Sequence, residues 1–89
     1  MKIYTSEEMK DVLPSWTYGN KSIQKEFKFT DFKEAFAFMV KVAFHAEILN
    51  HHPEWTNVYN KVSFRLSTHS HDEVTEKDVE LAKIIDGLV

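Results

Sequence analysis

The 89-residue chain contains no cysteine, only two glycines and only two prolines. Without thiols there is no disulfide framework, no thiolate nucleophile and no cysteine-based zinc site. So few glycines and prolines leave little room for long loops, and neither a glycine-rich phosphate loop nor a nucleophile elbow is present. Neither sign of charge dominates: 11 Lys and Arg stand against 14 Asp and Glu, for a net charge of −3 mixed along the chain. That balance argues against general nucleic-acid binding. Long hydrophobic runs are missing as well. The most apolar stretch, Ala35 to Leu49, is interrupted by Lys41, His45 and Glu47, and it falls short of the ~20 residues a bilayer span needs. Met1 to Val12 is broken by Glu7, Glu8, Lys10 and Asp11, so no secretory signal pattern is visible. These absences suit a soluble protein of the cytoplasm, with the nucleus as a second location.

What is present belongs to a folded chain. A hydrophobic share of 43% and an aromatic share of 13% exclude intrinsic disorder. The length predicts one domain, residues 1–89, near the lower limit for a self-sufficient core.

Local signals then divide the chain. Thr5-Ser6-Glu7-Glu8 reads as a capping box opening a short helix that stops before Pro14. Trp16-Thr17-Tyr18 alternates, Gly19-Asn20 supplies a turn, and Ile23, Lys25, Phe27 and Phe29 share one face of a second strand. Thr30-Asp31 caps a helix expected from about Asp31 to Asn50. Its core-facing stripe is read as Phe32, Phe36, Met39, Ala43 and Ala46, with Phe38, Val42 and Leu49 as an offset second stripe. Such a helix is covered twice, by its own sheet and a partner subunit, or else carries one wide core stripe. After Pro53, Asn57-Val58-Tyr59 leads into a turn at Asn60-Lys61, and Val62, Phe64 and Leu66 alternate with Ser63, Arg65 and Ser67. Thr75-Glu76-Lys77-Asp78 is another capping box, opening a last helix that runs to Gly87. The order α-β-β-α-β-β-α predicts an α+β fold, a four-stranded antiparallel sheet with three helices on one face. Its two halves echo each other weakly.

Chemistry concentrates between Glu47 and Asn60. His51 and His52 end the long helix pattern, and Pro53 stops it. On a regular helix adjacent side chains diverge by roughly 100°, but at a helix end, where the backbone turns, they can converge on one cleft. His69, closing the next strand, is a third imidazole. Imidazoles are the side chains suited to moving protons near neutral pH. Glu47, one helical turn before His51, is placed to orient it. The plainer reading makes these surface or capping histidines near a helix C-terminus, where positive charge is welcome. A zinc site is the third reading, although helical His pairs that share a metal are usually four apart, and no metal is expected. Ser67, Thr68 and Ser70 flank His69 as hydrogen-bonding groups or ordinary strand-end residues. Trp55 and Tyr59 either stack on a ligand or belong to the core. Asp78 either reaches a cleft or only completes its capping box. His45 and His71 carry no comparable signal.

At these residues the chain resembles the pterin-4a-carbinolamine dehydratase family, also known as the dimerization cofactor of a hepatocyte nuclear factor. The resemblance covers nearly everything from Phe27 on. It rests on Phe27-Lys28-Phe29-Thr30-Asp31-Phe32, on Glu47 followed by His51-His52-Pro53-Glu54-Trp55, on Asn57-Val58-Tyr59-Asn60-Lys61-Val62, on Leu66-Ser67-Thr68-His69, and on Thr75 through Asp78.

The resemblance implies dehydration of 4a-hydroxytetrahydrobiopterin to quinonoid dihydrobiopterin, which recycles tetrahydrobiopterin for aromatic amino acid hydroxylases. It implies neither a metal nor an organic cofactor. Catalytic roles pass to His51, His52 and His69, with Glu47 and Asp78 as supporting acids. Substrate-lining roles pass to the three histidines, Pro53, Trp55, Ser67, Thr68 and Ser70. A homotetramer built as a dimer of dimers follows from the same resemblance. So does an alternative role, a coactivator module binding a transcription factor's dimerization helices. One departure stands out: Glu73 occupies a position where the family usually has glycine, so a strained residue or a reshaped loop is expected. His71 and Asp72 add charge beside it, which could alter substrate preference.

Overall fold

The computed structural model describes all residues, Met1 to Val89. Its elements are α1 (Ser6–Val12), β1 (Thr17–Gly19), β2 (Ser22–Lys28), α2 (Phe32–Leu49), β3 (Glu54–Val58), β4 (Lys61–Leu66) and α3 (Glu76–Gly87). The fold is therefore α+β in the expected order. All strand pairs are antiparallel, and the sheet order is β1-β2-β4-β3. Each hairpin places its second strand at the centre, so the weak echo between the halves becomes a two-fold-like arrangement of hairpins.

Register decides the faces. Ile23 lies opposite Leu66, Lys25 opposite Phe64 and Phe27 opposite Val62, and directly opposed residues share one side of a sheet. The five apolar members of these pairs are buried, with Met9, Leu13, Trp16, Val74, Val79, Leu81 and Ile85 packed over them from the helical layer. The other side carries Gln24, Glu26, Glu54, Thr56, Ser63 and Arg65 and stays open. Both expected capping boxes form, at Thr5–Glu8 and Thr75–Asp78. No helix is long and apolar enough to cross a membrane.

Lys25, the charged residue on an apolar face, is accommodated rather than expelled. Its ammonium lies 2.7 Å from Asp86 Oδ1 and 2.8 Å from Ser15 Oγ, over the Phe27 ring at 4.7 Å from the centroid. Trp16 Nε1 donates to the same carboxylate. Asp86→Ala therefore leaves a half-buried ammonium and an indole N–H without their acceptor. We expect a loss of about 2 kcal/mol, read as a lower urea midpoint at unchanged slope.

Three local expectations are corrected. First, the core-facing stripe of α2 is split. Ala46 is buried and Met39 packs on the core as expected, but Phe38 and Val42 of the offset stripe take the inward places expected for Phe32 and Phe36. Phe38, Val42, Ala35 and Ala46 are buried, whereas Phe32 and Phe36 are about half exposed. Phe38 is drawn inward by Phe27, Phe29 and Phe64, whose ring centroids lie 4.8–5.9 Å away.

Second, both turns are shifted by one residue. Gly19 pairs with Ser22, so the first turn is Asn20-Lys21, both at positive φ, the backbone of a two-residue hairpin. Val58 pairs with Lys61, so the second turn is Tyr59-Asn60. The Asn57 amide donates to Tyr59 O and Lys61 O to hold it, and Tyr59 is exposed rather than core.

Third, Glu73 is unstrained. The left-handed residue is Asp72, at φ 50°, a type that tolerates this region better than most. Glu73 bridges to Thr68 instead, its carbonyl accepting Thr68 N–H at 2.9 Å.

Candidate active site

The site begins with the way α2 ends. Asn50 adopts the left-handed conformation (φ 51°, ψ 44°), and its N–H bonds back to Ala46 O and Glu47 O. The N–H of His51 also returns to Ala46 O, at 3.0 Å, which ties off carbonyls a helix end otherwise leaves bare. This left-handed step takes the two histidines out of helical phase and sends them to different partners.

His51 turns inward. It is 9% exposed, and its Nε2 lies 2.6 Å from Asp78 Oδ1. Asp78 is fully buried in the first turn of α3. Its Oδ2 accepts from Thr68 Oγ1 at 2.7 Å and from Thr75 N–H at 2.9 Å. The Thr68 and Thr75 hydroxyls are 2.6 Å apart. Because a hydroxyl has one hydrogen, Thr68 spends its own on Asp78, and Thr75 donates to Thr68. Thr75 in turn accepts Lys77 N–H at 3.3 Å. No buried side-chain polar atom is left without a partner. Such a closed network fixes the ring plane of His51 and leaves Nδ1 as the nitrogen not held by protein.

His52 stays at the surface, with Nε2 2.8 Å from Glu47 Oε2. The helical spacing that assigned Glu47 to His51 is therefore overturned. The i,i+4 relation holds only within a helix, and Asn50 ends the helix between the two residues. Asp78, beyond its capping duty, is the carboxylate behind His51.

All three histidines border one cavity of about 410 Å³. Asn50, His51, His52, Pro53, Glu54, Thr68, His69, Ser70 and Lys77 line it. Two sequence-based candidates lie elsewhere. The Trp55 ring packs on Phe64 at 5.7 Å, on the core face, because Trp55 is directly opposite Phe64 in the sheet. Ser67 Oγ donates to Lys21 O at 2.9 Å, which ties β4 to the first hairpin turn. Three lining residues escape sequence reasoning: Asn50, Glu54 and Lys77. The signal for Lys77 was its place beside Asp78 in the capping box. Glu54 and Asn50 were marked only by flanking the His-His-Pro run.

Two other hollows hold no histidine. One of about 440 Å³ lies on the open sheet face, and one of about 550 Å³ lies beside α2 and the C-terminal residues. No three His, Asp or Glu side chains converge as metal ligands, since His51 and His52 are turned to separate carboxylates. The loop after His69 makes one side-chain contact to the first hairpin turn and one within itself. Asp72 faces Lys21 at 3.4 Å, and Ser70 Oγ is 3.0 Å from His71 Nδ1.

Residues 2–88 match the sequence profile of the family described as pterin 4 alpha carbinolamine dehydratase. The chain belongs to that family. A protein of Burkholderia cenocepacia (strain HI2424), assigned by name to the pterin-4-alpha-carbinolamine dehydratases, is 54% identical over 88 residues, 93% of this chain and 86% of its own. A similarly named protein of Christiangramia forsetii is 48% identical over the whole of this chain and 95% of its own. Among solved structures, a transcriptional coactivator/pterin dehydratase from Brucella melitensis superposes with a TM-score of 0.90 at 41% identity, covering 98% of both chains. A pterin dehydratase-like protein identified as a RuBisCO assembly factor superposes at 0.68 with 20% identity, over 82% of this chain and 84% of its own, and so shares the fold. As a member of the pterin-4a-carbinolamine dehydratase family, the chain is an enzyme of the hydro-lyase class. Of the hollows described above, only the cavity of about 410 Å³ is lined by histidine.

Proposed function

We propose that the chain, acting as one domain, dehydrates 4a-hydroxytetrahydrobiopterin to quinonoid dihydrobiopterin and water, and so recycles tetrahydrobiopterin for aromatic amino acid hydroxylases in the cytoplasm. The observation that carries this is the meeting of His51, His52 and His69 at one cavity, with carboxylates behind two of the rings.

In the elimination, a base removes the proton from N5. The N–H electron pair becomes the N5–C4a double bond, the C4a–O bond breaks, and an acid protonates the departing hydroxyl so that it leaves as water. Hydroxide is a poor leaving group, so that last proton is the larger requirement. His52 and His69 serve as acid and base on the two faces of the ring, and His51, held by Asp78, polarises it. Pro53, Thr68 and Ser70 line the guest. General acid-base assistance of this kind contributes about 10²–10⁴-fold. The test is to follow decay of the 4a-carbinolamine with and without protein; a decay rate no faster than buffer would end the proposal.

A second reading is favoured by one observation. The outward face of α2 leaves Phe32, Phe36, Val40, Phe44 and Ile48 exposed, more contiguous apolar surface than a solitary helix face usually shows. It supports self-association, up to a homotetramer built as a dimer of dimers. It also supports docking of a transcription factor's dimerization helices, as an amphipathic helix docks on an apolar face. The Brucella melitensis relative, named as both coactivator and dehydratase, points the same way. A pull-down with such a helical segment decides that role, and failure to retain it on the wild-type chain rules it out.

A further inference from the structure

The outward face of α2 is patterned symmetrically about Val40. Phe32 and Ile48 stand eight residues to either side of Val40, and Phe36 and Phe44 stand four. Counting 100° per residue, Lys33 and Glu47 are the charges that fall within the arc these residues span. They stand seven residues to either side of Val40. Glu34 and Lys41 lie on the flank, lining the hollow with Phe27 and Phe29. A helix meeting its own copy antiparallel, with a two-fold axis at Val40, therefore brings Phe36 level with Phe44 and Lys33 level with Glu47 near the centre of the contact, with Phe32 and Ile48 at its opposite edges. Near the axis, apolar and charged positions match at once, and the two-fold makes each of these contacts twice.

Glu47 is also the residue shared with the histidine cavity. It borders a small apolar hollow on the outward face with Val40, Ala43 and Phe44, and its Oε2 lies 2.8 Å from His52 Nε2. The pair is exposed, with side-chain accessibilities of 60% for His52 and 75% for Glu47. Alone, such a contact is held weakly, because two mobile side chains must be ordered in water. A carboxylate has acceptor sites on both oxygens, so it can take an ammonium on one and an imidazole on the other.

We infer that a second copy docks antiparallel on this face and that its Lys33 takes the free oxygen of Glu47, so that assembly fixes Glu47 and, through it, His52. Glu47 is then a positioning residue whose effectiveness depends on the oligomeric state. The inference rests on the self-association and dehydratase readings above and adds the link between them.

The experiment compares the wild-type chain with Val40→Arg and Lys33→Met. Val40→Arg sets a guanidinium against its own copy at an exposed position, and circular dichroism verifies its fold. Sedimentation gives the oligomeric state, nitrogen-15 spectra report the His52 ring, and carbinolamine decay gives kcat. Val40→Arg is expected to sediment as a smaller species with shifted His52 ring signals and kcat about five-fold lower, the lower end of ordinary coupling between sites. Lys33→Met is expected to stay assembled while its His52 signals and kcat move toward those of Val40→Arg. If Val40→Arg dissociates while its His52 signals match wild type, the coupling is overturned and self-association stands. If wild type is monomeric, or Val40→Arg stays assembled, the docking geometry fails and the coupling with it. If no protein accelerates decay, the dehydratase reading fails, and the ring spectra still decide the coupling.

Discussion

Asp78→Ala is expected to cost the protein both stability and turnover. The substitution removes the acceptor of three buried donors: His51 Nε2, Thr68 Oγ1 and Thr75 N–H. Each stranded donor costs about 1–3 kcal/mol, and partial relaxation brings the sum to about 4 kcal/mol. That is a large part of the 5–15 kcal/mol that keeps a typical domain folded. A lower urea midpoint checks the first half. Asp78→Asn separates stability from chemistry, because the amide keeps the volume and one acceptor oxygen. With that oxygen toward Thr68 and Thr75, the NH₂ faces His51 and can be received only by a ring nitrogen without a hydrogen. The proton of neutral His51 is thereby forced onto Nδ1, the nitrogen otherwise left for the guest. Turnover should fall about 10²-fold or more while most of the stability survives, as when the orienting carboxylate of other histidines is replaced. Wild-type kcat in Asp78→Asn would show that the tautomer of His51 does not matter.

The second large effect concerns His52 and His69. Both lie at the surface end of the cavity, and truncating exposed side chains usually changes stability by no more than about 0.5 kcal/mol. Alanine at either position should leave the unfolding midpoint nearly unchanged and lower the dehydration rate about 10²–10⁴-fold. His51→Ala, by contrast, should lose rate and stability together, since it also strands Asp78. The separation between these patterns is the test. Equal, small losses of rate in His52→Ala and His69→Ala would remove them as acid and base. A midpoint as low as that of His51→Ala would make them structural.

Which features could be read beforehand follows from how local their causes are. The two Thr-led capping boxes need only four consecutive residues, and both form. Alternation in Val62, Phe64 and Leu66 identifies a strand whose inner face is buried. The clustering of His51, His52 and His69 was legible because Pro53 signals the helix end and a chain reversal can bring adjacent rings to one hollow. What escaped depends on neighbours distant along the chain. The two stripes of α2 are similarly apolar, and which of their residues turn inward is set by Phe27, Phe29 and Phe64, all outside the helix. Trp55 was given a substrate-lining role by the family resemblance, yet strand register turns it toward Phe64.

The amino-acid order alone thus determined the element order, the fold class and which histidines were candidates for the site, since these follow from short-range periodicity, capping and side-chain chemistry. Only the tertiary structure decided that Asp78 stands behind His51 and Glu47 behind His52. The single left-handed residue at Asn50 breaks the helical phase from which spacing is counted. Packing of α3 against the end of α2 then brings a carboxylate 27 residues away to within 2.6 Å.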